Sequence, residues 1–158
     1  YFDPETNESY VPFVLETSIG LDRMFLAVLS SSLQDETLED GSERVVMRIP
    51  APLAPIKAAV LPLTKKDGLP DKAREIINEL KYDFNTYYEE KDTIGKRYRR
   101  MDAIGTPYCI TVDHQTLEDN TVTIRERDSM TQERVAIDTL QRIINEKVNM
   151  STLLKKLN

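Results

Sequence analysis

The stretch KAAVLPLTKKDGLPDKAREIINEL, Lys57–Leu80, holds one complete strand–turn–helix unit. Lys57 to Leu63 is a mostly apolar run of strand length, and Lys65-Lys66-Asp67-Gly68 supplies a turn. Pro70 suits the first helical position, where its missing N–H has no partner to lose. Asp71 and Glu75 lie near the positive end of the helix dipole. Ala73, Ile76, Ile77, Leu80 and Phe84 then recur at helical spacing. The spacing predicts a helix over 70–83 that lays an apolar stripe on a sheet.

Toward the C-terminus the alternation continues. Thr86 to Glu89 reads as a short strand. Thr93 can cap a helix whose stripe is Ile94, Tyr98, Met101 and Ile104, and Gly105 followed by Pro107 stops it. Tyr108 to Val112 reads as a strand and Leu117 to Asn120 as a turn. Thr121 to Arg127 alternates as a half-exposed strand, Asp128 to Thr131 turns, and Glu133 to Ile137 is a last strand. Asp138 with Gln141 resembles a capping box. Leu140, Ile143, Ile144 and Val148 define a C-terminal helix with a restart after Ser151. The order β-α-β-α-β-β-β-α predicts an α/β fold. It is a mixed five-stranded sheet flanked by about three helices, with parallel crossovers first and a meander after.

Toward the N-terminus, Pro50, Pro52 and Pro55 form a stiff linker, because proline lacks a donor and restricts its predecessor. The domain boundary is expected there, dividing 1–49 from 50–158. Arg44 to Ile49 reads as a short strand and Gln34 to Glu43 as an acidic loop. Residues 20–33 read as a helix with Leu21, Met24, Phe25, Val28 and Leu29 on a broad apolar face, residues 11–16 as a buried strand, and residues 1–10 as loop. The run Tyr10–Leu29 is too apolar for a surface element, yet it contains Glu16, Thr17, Ser18 and Arg23. Buried charge is costly unless it is paired or meets a ligand. Either Glu16 and Arg23 pair within a core, or they belong to a binding site.

The totals exclude several classes. No apolar run approaches the length of a membrane span, and the polar, acidic YFDPETNESY is no signal peptide. The chain opens on Tyr1 rather than a methionine and is read as a piece of a longer protein. The single cysteine, Cys109, cannot form an internal disulfide and fits a reducing compartment. Cys109 in an apolar strand reads as core, and His114 stands alone in a polar loop. No P-loop, GxGxxG or zinc spacing occurs, so no metal site is expected. A net charge of −6 argues against broad nucleic-acid binding, so any RNA contact needs a local basic patch.

Two such patches are present. IGKRYRR, Ile94–Arg100, packs Lys96, Arg97, Arg99 and Arg100 into five residues with no acid at helical spacing inside the run. It is either a solvated helix face or a polyanion contact. In TIRERDSM, Thr123–Met130, Arg125 and Arg127 alternate onto one strand face with Asp128 at its end. Arg suits guanine edges and Asp accepts from the cytosine amino group, so an exposed trio could read bases. The alternative is a cross-strand ion ladder.

LAPIKAAVLPLTKKDGLPDKAREI, IGKRYRRMDAIGTPYCITVD and TLEDNTVTIRERDSM together resemble the C-terminal anticodon-binding domain of homodimeric glycyl-tRNA synthetases. YVPFVLETSIGLDRMFLAVL resembles motif 3 of class II aminoacyl-tRNA synthetases, with Thr17 where many members have Pro. The resemblance implies that 1–49 is the end of a catalytic domain, a strand–helix remnant, and that 50–158 binds the anticodon. It implies that Arg23 contacts the γ-phosphate of ATP and is the catalytic residue of this piece. Glu16 and Ser18 would contact glycine, and Glu16 would also lie at the ATP site. Arg97, Arg100, Arg125, Arg127 and Asp128 would contact the tRNA anticodon.

The implied activity is that of a glycine–tRNA ligase. ATP and Mg²⁺ serve the parent enzyme, and none is expected bound to this piece, which by itself should be inactive. The implied partners are tRNA(Gly), glycine and ATP, in a homodimeric, cytoplasmic parent with no DNA or membrane contact. A non-catalytic accessory module of synthetase-like fold, or a flavodoxin-like ligand-binding domain, would share the element order.

Overall fold

The computed structural model describes residues 1–155, so the last three residues of the expected 50–158 unit lie outside it. The strand–turn–helix stretch forms as its pattern requires. Ala58–Pro62 (β5) is buried throughout, and Leu69–Leu80 (α2) follows. Gly68 makes the turn at φ 77°, a left-handed conformation that glycine enters without a side-chain clash.

The elements before it are Phe2–Asp3 (β1), Glu8–Ser9 (β2), Leu21–Ser32 (α1), Leu33–Thr37 (β3) and Glu43–Met47 (β4). Those after it are Thr86–Tyr88 (β6), Ile94–Ala103 (α3), Tyr108–Val112 (β7), His114–Asp119 (α4) and Thr121–Glu126 (β8). Gln132–Ala136 (β9), Leu140–Val148 (α5) and Met150–Leu154 (α6) complete the elements of the described residues.

The main sheet has five strands in the order β6-β5-β7-β8-β9. β5 pairs in parallel with β6 on one side and β7 on the other. β7–β8 and β8–β9 are antiparallel. The expected mixed sheet, crossovers first and meander after, is what the chain builds.

The two faces of the sheet are covered differently. On the first face Ala58, Val60, Ile110, Val112, Val122 and Ile124 pack against α2 and α5. On the second, Ala59, Leu61 and Cys109 pack against Met101, Ile94 and Tyr98 of α3. The β3–β4 hairpin packs beside α3 on that second face. Its alternation puts Arg44 and Val46 inward, both buried.

Several expectations need correction. Residues 11–16 carry no strand: a strand needs a neighbour to satisfy its backbone groups, and no other strand pairs with this run. Val11, Phe13 and Leu15, expected in a core, are almost fully exposed. The expected loop 34–43 contains β3, which pairs with β4 in register from Leu33↔Met47 to Thr37↔Glu43. The expected turn 117–120 is the end of α4, which Asp113 and Thr116 cap reciprocally. The Asp138–Gln141 box does not form, because a short 3₁₀ turn over Ile137–Thr139 precedes α5 and no side chain caps it. Thr93 stands at the start of α3 without a side-chain capping bond.

Gly105 closes the contact between the hairpin and the sheet. It sits at φ 82°, and a Cβ there would lie 2.9 Å from Ile49 Cγ2 and 3.3 Å from the Met47 carbonyl oxygen. Gly105→Ala therefore combines left-handed strain with a clash against the strand end. The expected loss is about 1–3 kcal/mol of unfolding free energy, read as a lower urea midpoint. An unchanged midpoint would show that the two parts give way freely at this contact.

Candidate nucleic-acid interface

Buried charge organises the second face of the sheet. Asp102, on α3, is fully buried, and its carboxylate takes two guanidiniums. Arg125 donates to it through Nη1 at 2.8 Å and Nη2 at 3.0 Å, a two-pronged contact from β8. Arg44, on β4, donates through Nη1 at 3.0 Å to the same carboxylate and at 3.0 Å to the Arg127 carbonyl. Arg125 also lies 4.8 Å over the Tyr98 ring, while the Tyr98 hydroxyl meets Thr111 Oγ1 at 2.5 Å.

A second carboxylate continues the network outward. Glu36 accepts from Arg44 Nε at 2.7 Å and from Arg48 Nε at 2.8 Å. Asp128 accepts Arg127 Nε and Nη2 at 2.8 Å each and Arg48 Nη1 at 3.1 Å. Arg127 Nη1 donates to the Gly105 carbonyl at 2.9 Å. Burial pushes the Glu36 and Asp128 carboxyls up. For both, the arginine hydrogen bonds and charges outweigh it and hold them below their ordinary values.

The expected base readers are thus placed unequally. Arg125 and Arg127 are buried, so the expectation of an exposed pair fails, and no cross-strand ladder forms either: Arg125 pairs with Asp102 on α3 and Arg127 with the adjacent Asp128. The alternation of TVTIRER is real, but Val122 and Ile124 meet the apolar core while Arg125, on the other face, meets Asp102 and Tyr98 of α3. Arg97 is also buried, donating to the Pro62 carbonyl at 2.6 Å, the Glu89 carbonyl at 3.2 Å and the Leu63 carbonyl at 3.3 Å. These oxygens lie at the carboxyl ends of β5 and β6, so Arg97 ties those strand ends to α3. Burial lowers its pKa, and the nearby Glu89 charge opposes that.

Arg100 and Asp128 keep access to solvent. Arg100 reaches Asp92 at 3.0 Å and the Lys91 carbonyl at 2.7 Å, acids and acceptors supplied by the preceding loop rather than by its own helix. Arg99 meets Ser42 Oγ at 3.1 Å. Exposed cations follow the parallel strands in the chain: Lys65 and Lys66 after β5, and Lys96 at the start of α3 after β6.

Glu16, Ser18 and Arg23 are all exposed, and among the described residues neither Glu16 nor Arg23 forms an ion pair, so the core-pair reading fails. No group of three His, Cys, Asp or Glu side chains suited to a metal occurs among the described residues. No helix there is long and apolar enough to cross a membrane. Cys109 is buried as expected, and its thiol is pushed up to about 12.

Sequence reasoning missed Arg44, Glu36 and Asp102. Asp102 offered a signal, since it falls four residues after Tyr98 on the buried stripe of α3. Glu36 offered none, lying in a run that reads as an acidic loop, and Arg44 none beyond its place at the start of an expected short strand.

Residues 57–147 match the family described as Anticodon binding domain. Over 148 residues the chain is 57% identical to a glycine–tRNA ligase of Clostridium tetani, covering 94% of this chain and 32% of that protein. It is 51% identical to one of Borreliella burgdorferi, covering 94% of this chain and 33% of that one. The chain thus spans about a third of the length of the curated relatives it matches. The RNA-binding domain of threonyl-tRNA synthetase from Cryptosporidium parvum shares the fold, with a TM-score of 0.57 and 25% identity over 63% of this chain and 25% of that one.

The depressed carboxylates set the acid response. Their contribution to stability is complete above the ordinary values of 4.5 for Glu36 and 3.8 for Asp128, and it is lost as pH falls through the lower folded values. Thermal midpoints should therefore drop steeply below about pH 4. Arg48→Ala, which removes a partner from both, should flatten that slope. Arg125→Ala should cost about 3–5 kcal/mol by leaving Asp102 underpaired, while Arg100→Ala at the surface should cost under about 1 kcal/mol. Urea unfolding of the two variants checks the ranking.

Proposed function

Since the chain belongs to the anticodon-binding-domain family, we propose that it is the C-terminal, tRNA-binding part of a glycyl-tRNA synthetase. The observation that carries this reading is the family match over the five-stranded sheet, joined to the identity with glycine–tRNA ligases across both halves of the chain. The parent would join glycine to tRNA(Gly) with ATP and Mg²⁺, as a homodimer in the cytoplasm. This chain would contribute the RNA contact and one edge of the amino-acid site.

In this reading the boundary at Pro50 separates the end of the catalytic part, 1–49, from the RNA-binding part. Glu16 and Ser18 contact the glycine ammonium and Arg23 the ATP phosphate, Glu16 also bordering ATP. Their exposure fits a site whose other wall lies in the remaining two-thirds of the parent. The exposed apolar run around Val11, Phe13 and Leu15 fits the same missing wall.

Phosphate contacts fall to Lys65, Lys66 and Lys96, beside the carboxyl ends of the parallel strands, where open α/β sheets usually receive ligands. Base-edge contacts fall to Arg100 and Asp128, the two expected readers with solvent access. Arg97, Arg125 and Arg127 act through the frame they hold. An acidic chain can bind RNA this way because the Debye length in physiological salt is only about 8 Å.

Binding to tRNA(Gly), and weaker binding to a tRNA with an altered anticodon, is the expected result in a fluorescence titration. The Lys65→Ala and Lys66→Ala double variant should weaken all RNAs alike and reduce the salt slope by about two. Asp128→Asn should instead change the preference among anticodons. RNA binding with no anticodon preference would favour an accessory module, and no RNA binding would refute the proposal. Glycine-dependent ATP–pyrophosphate exchange is not expected from this chain by itself, and its appearance would place the whole active site within it.

A further inference from the structure

We propose that Asp102 is a latch that joins the β3–β4 hairpin to the five-stranded sheet as one mechanical unit. The sequence divides at Pro50, but the packing does not. A single buried carboxylate on α3 is shared by Arg44 from the hairpin and Arg125 from β8. Arg44 spends its donors on three acceptors from three places: Glu36 on β3, Asp102 on α3, and the Arg127 carbonyl just beyond β8. Its side chain is 1% exposed and that of Asp102 0%, so water reaches neither while the hairpin is docked. Slight lifting would leave Asp102 with Arg125 alone and Arg44 with Glu36 alone before the gap is wide enough to hydrate either charge. Desolvated charges that lose a partner are costly, so the docked state is strongly preferred over partly open ones.

The latch has a direction. The Arg125–Asp102 pair joins two elements of the sheet unit and stays closed whether or not the hairpin is docked. Arg44 is the movable bolt. Arg48, which contacts Glu36 and Asp128 and is about a third exposed, adds a weaker outer tie. The hairpin directly follows α1, which carries Arg23 and leads from the segment carrying Glu16 and Ser18. The latch therefore fixes the orientation of that segment's helix exit against α3 and β8. A chain joined only by the proline linker would leave it free.

Hydrogen exchange on the whole 158-residue chain tests this. Asp102→Asn disturbs both units at once, so the informative variant is Arg44→Met, which keeps length and apolar packing and leaves Arg125–Asp102 intact. The latch predicts that β3 and β4 amides exchange at least about 10-fold faster in Arg44→Met while β5 and β7 amides keep their rates. Unchanged hairpin rates would mean that Val46 and the Gly105 contact suffice to dock it, and would overturn the proposal. An equal rise in hairpin and sheet, or loss of folding altogether, would also overturn it, since the network would then support global stability rather than a separable joint.

Discussion

The second face of this sheet depends on one carboxylate. Asp102 projects from a helix into a space where water cannot follow, and a bare charge there would be prohibitively expensive. Two guanidiniums answer it, which creates the opposite problem of excess positive charge. The chain solves that by spreading the excess over further acceptors, from Arg44 to Glu36, from Arg48 to Asp128, and from Arg127 to the Gly105 carbonyl. The Arg44–Glu36 and Arg48–Asp128 contacts lead toward solvent, whereas Arg127 meets the Gly105 carbonyl in the interior. Tyr98 adds the negative face of its ring beneath Arg125. Remove the carboxylate and Arg125 would be buried without a counterion, while Arg44 would keep only Glu36. The apolar first face would survive, because its contacts do not pass through Asp102.

How far this was legible in the sequence follows from what each part is made of. The first face is apolar and periodic, so the spacing of Ala73, Ile76 and Leu80, and the run AAVLP, gave the strands and helices to within a few residues. Alternation in TVTIRER also gave a strand with the right inward set, Val122 and Ile124. What alternation cannot tell is whether the other set meets water or a second layer. Here the second layer is built by residues some 80 positions away, Arg44 and Arg48 against Arg127 and Asp128. Nothing local to TIRERDSM announces them. The same non-local cause explains IGKRYRR: the acids that relieve it are Glu89 and Asp92 in the preceding loop, and the oxygens that receive Arg97 are main-chain.

At 11–16 composition misleads in the opposite sense. The run has the composition of a strand, but a strand is a paired object, and propensity without a partner leaves the backbone unsatisfied. Val11, Phe13 and Leu15 are exposed as a consequence. Of the candidate substrate residues, Glu16 ends this unpaired run, Ser18 follows it and Arg23 stands in the first turn of α1, all three exposed and, among the described residues, without a side-chain hydrogen bond. Pre-organisation to within fractions of an ångström is what such sites require, so their geometry has to come from outside these residues.

These two situations bear on how an acidic chain could hold RNA. Four arginines are buried against a single aspartate, so the accessible surface is more acidic than the net charge of −6 indicates. Long-range attraction to a polyanion is therefore weak, and non-specific binding along a nucleic acid is disfavoured. Affinity must come from short-range contacts, which salt screens less and which demand that cations be correctly placed. The buried arginines supply that placement. Arg97 pins the start of α3, where Lys96 stands, to the ends of β5 and β6, just before the loop that carries Lys65 and Lys66. Charges spent in the interior thus reduce attraction overall while sharpening it at one edge. That trade favours recognition of one RNA shape over adhesion to many.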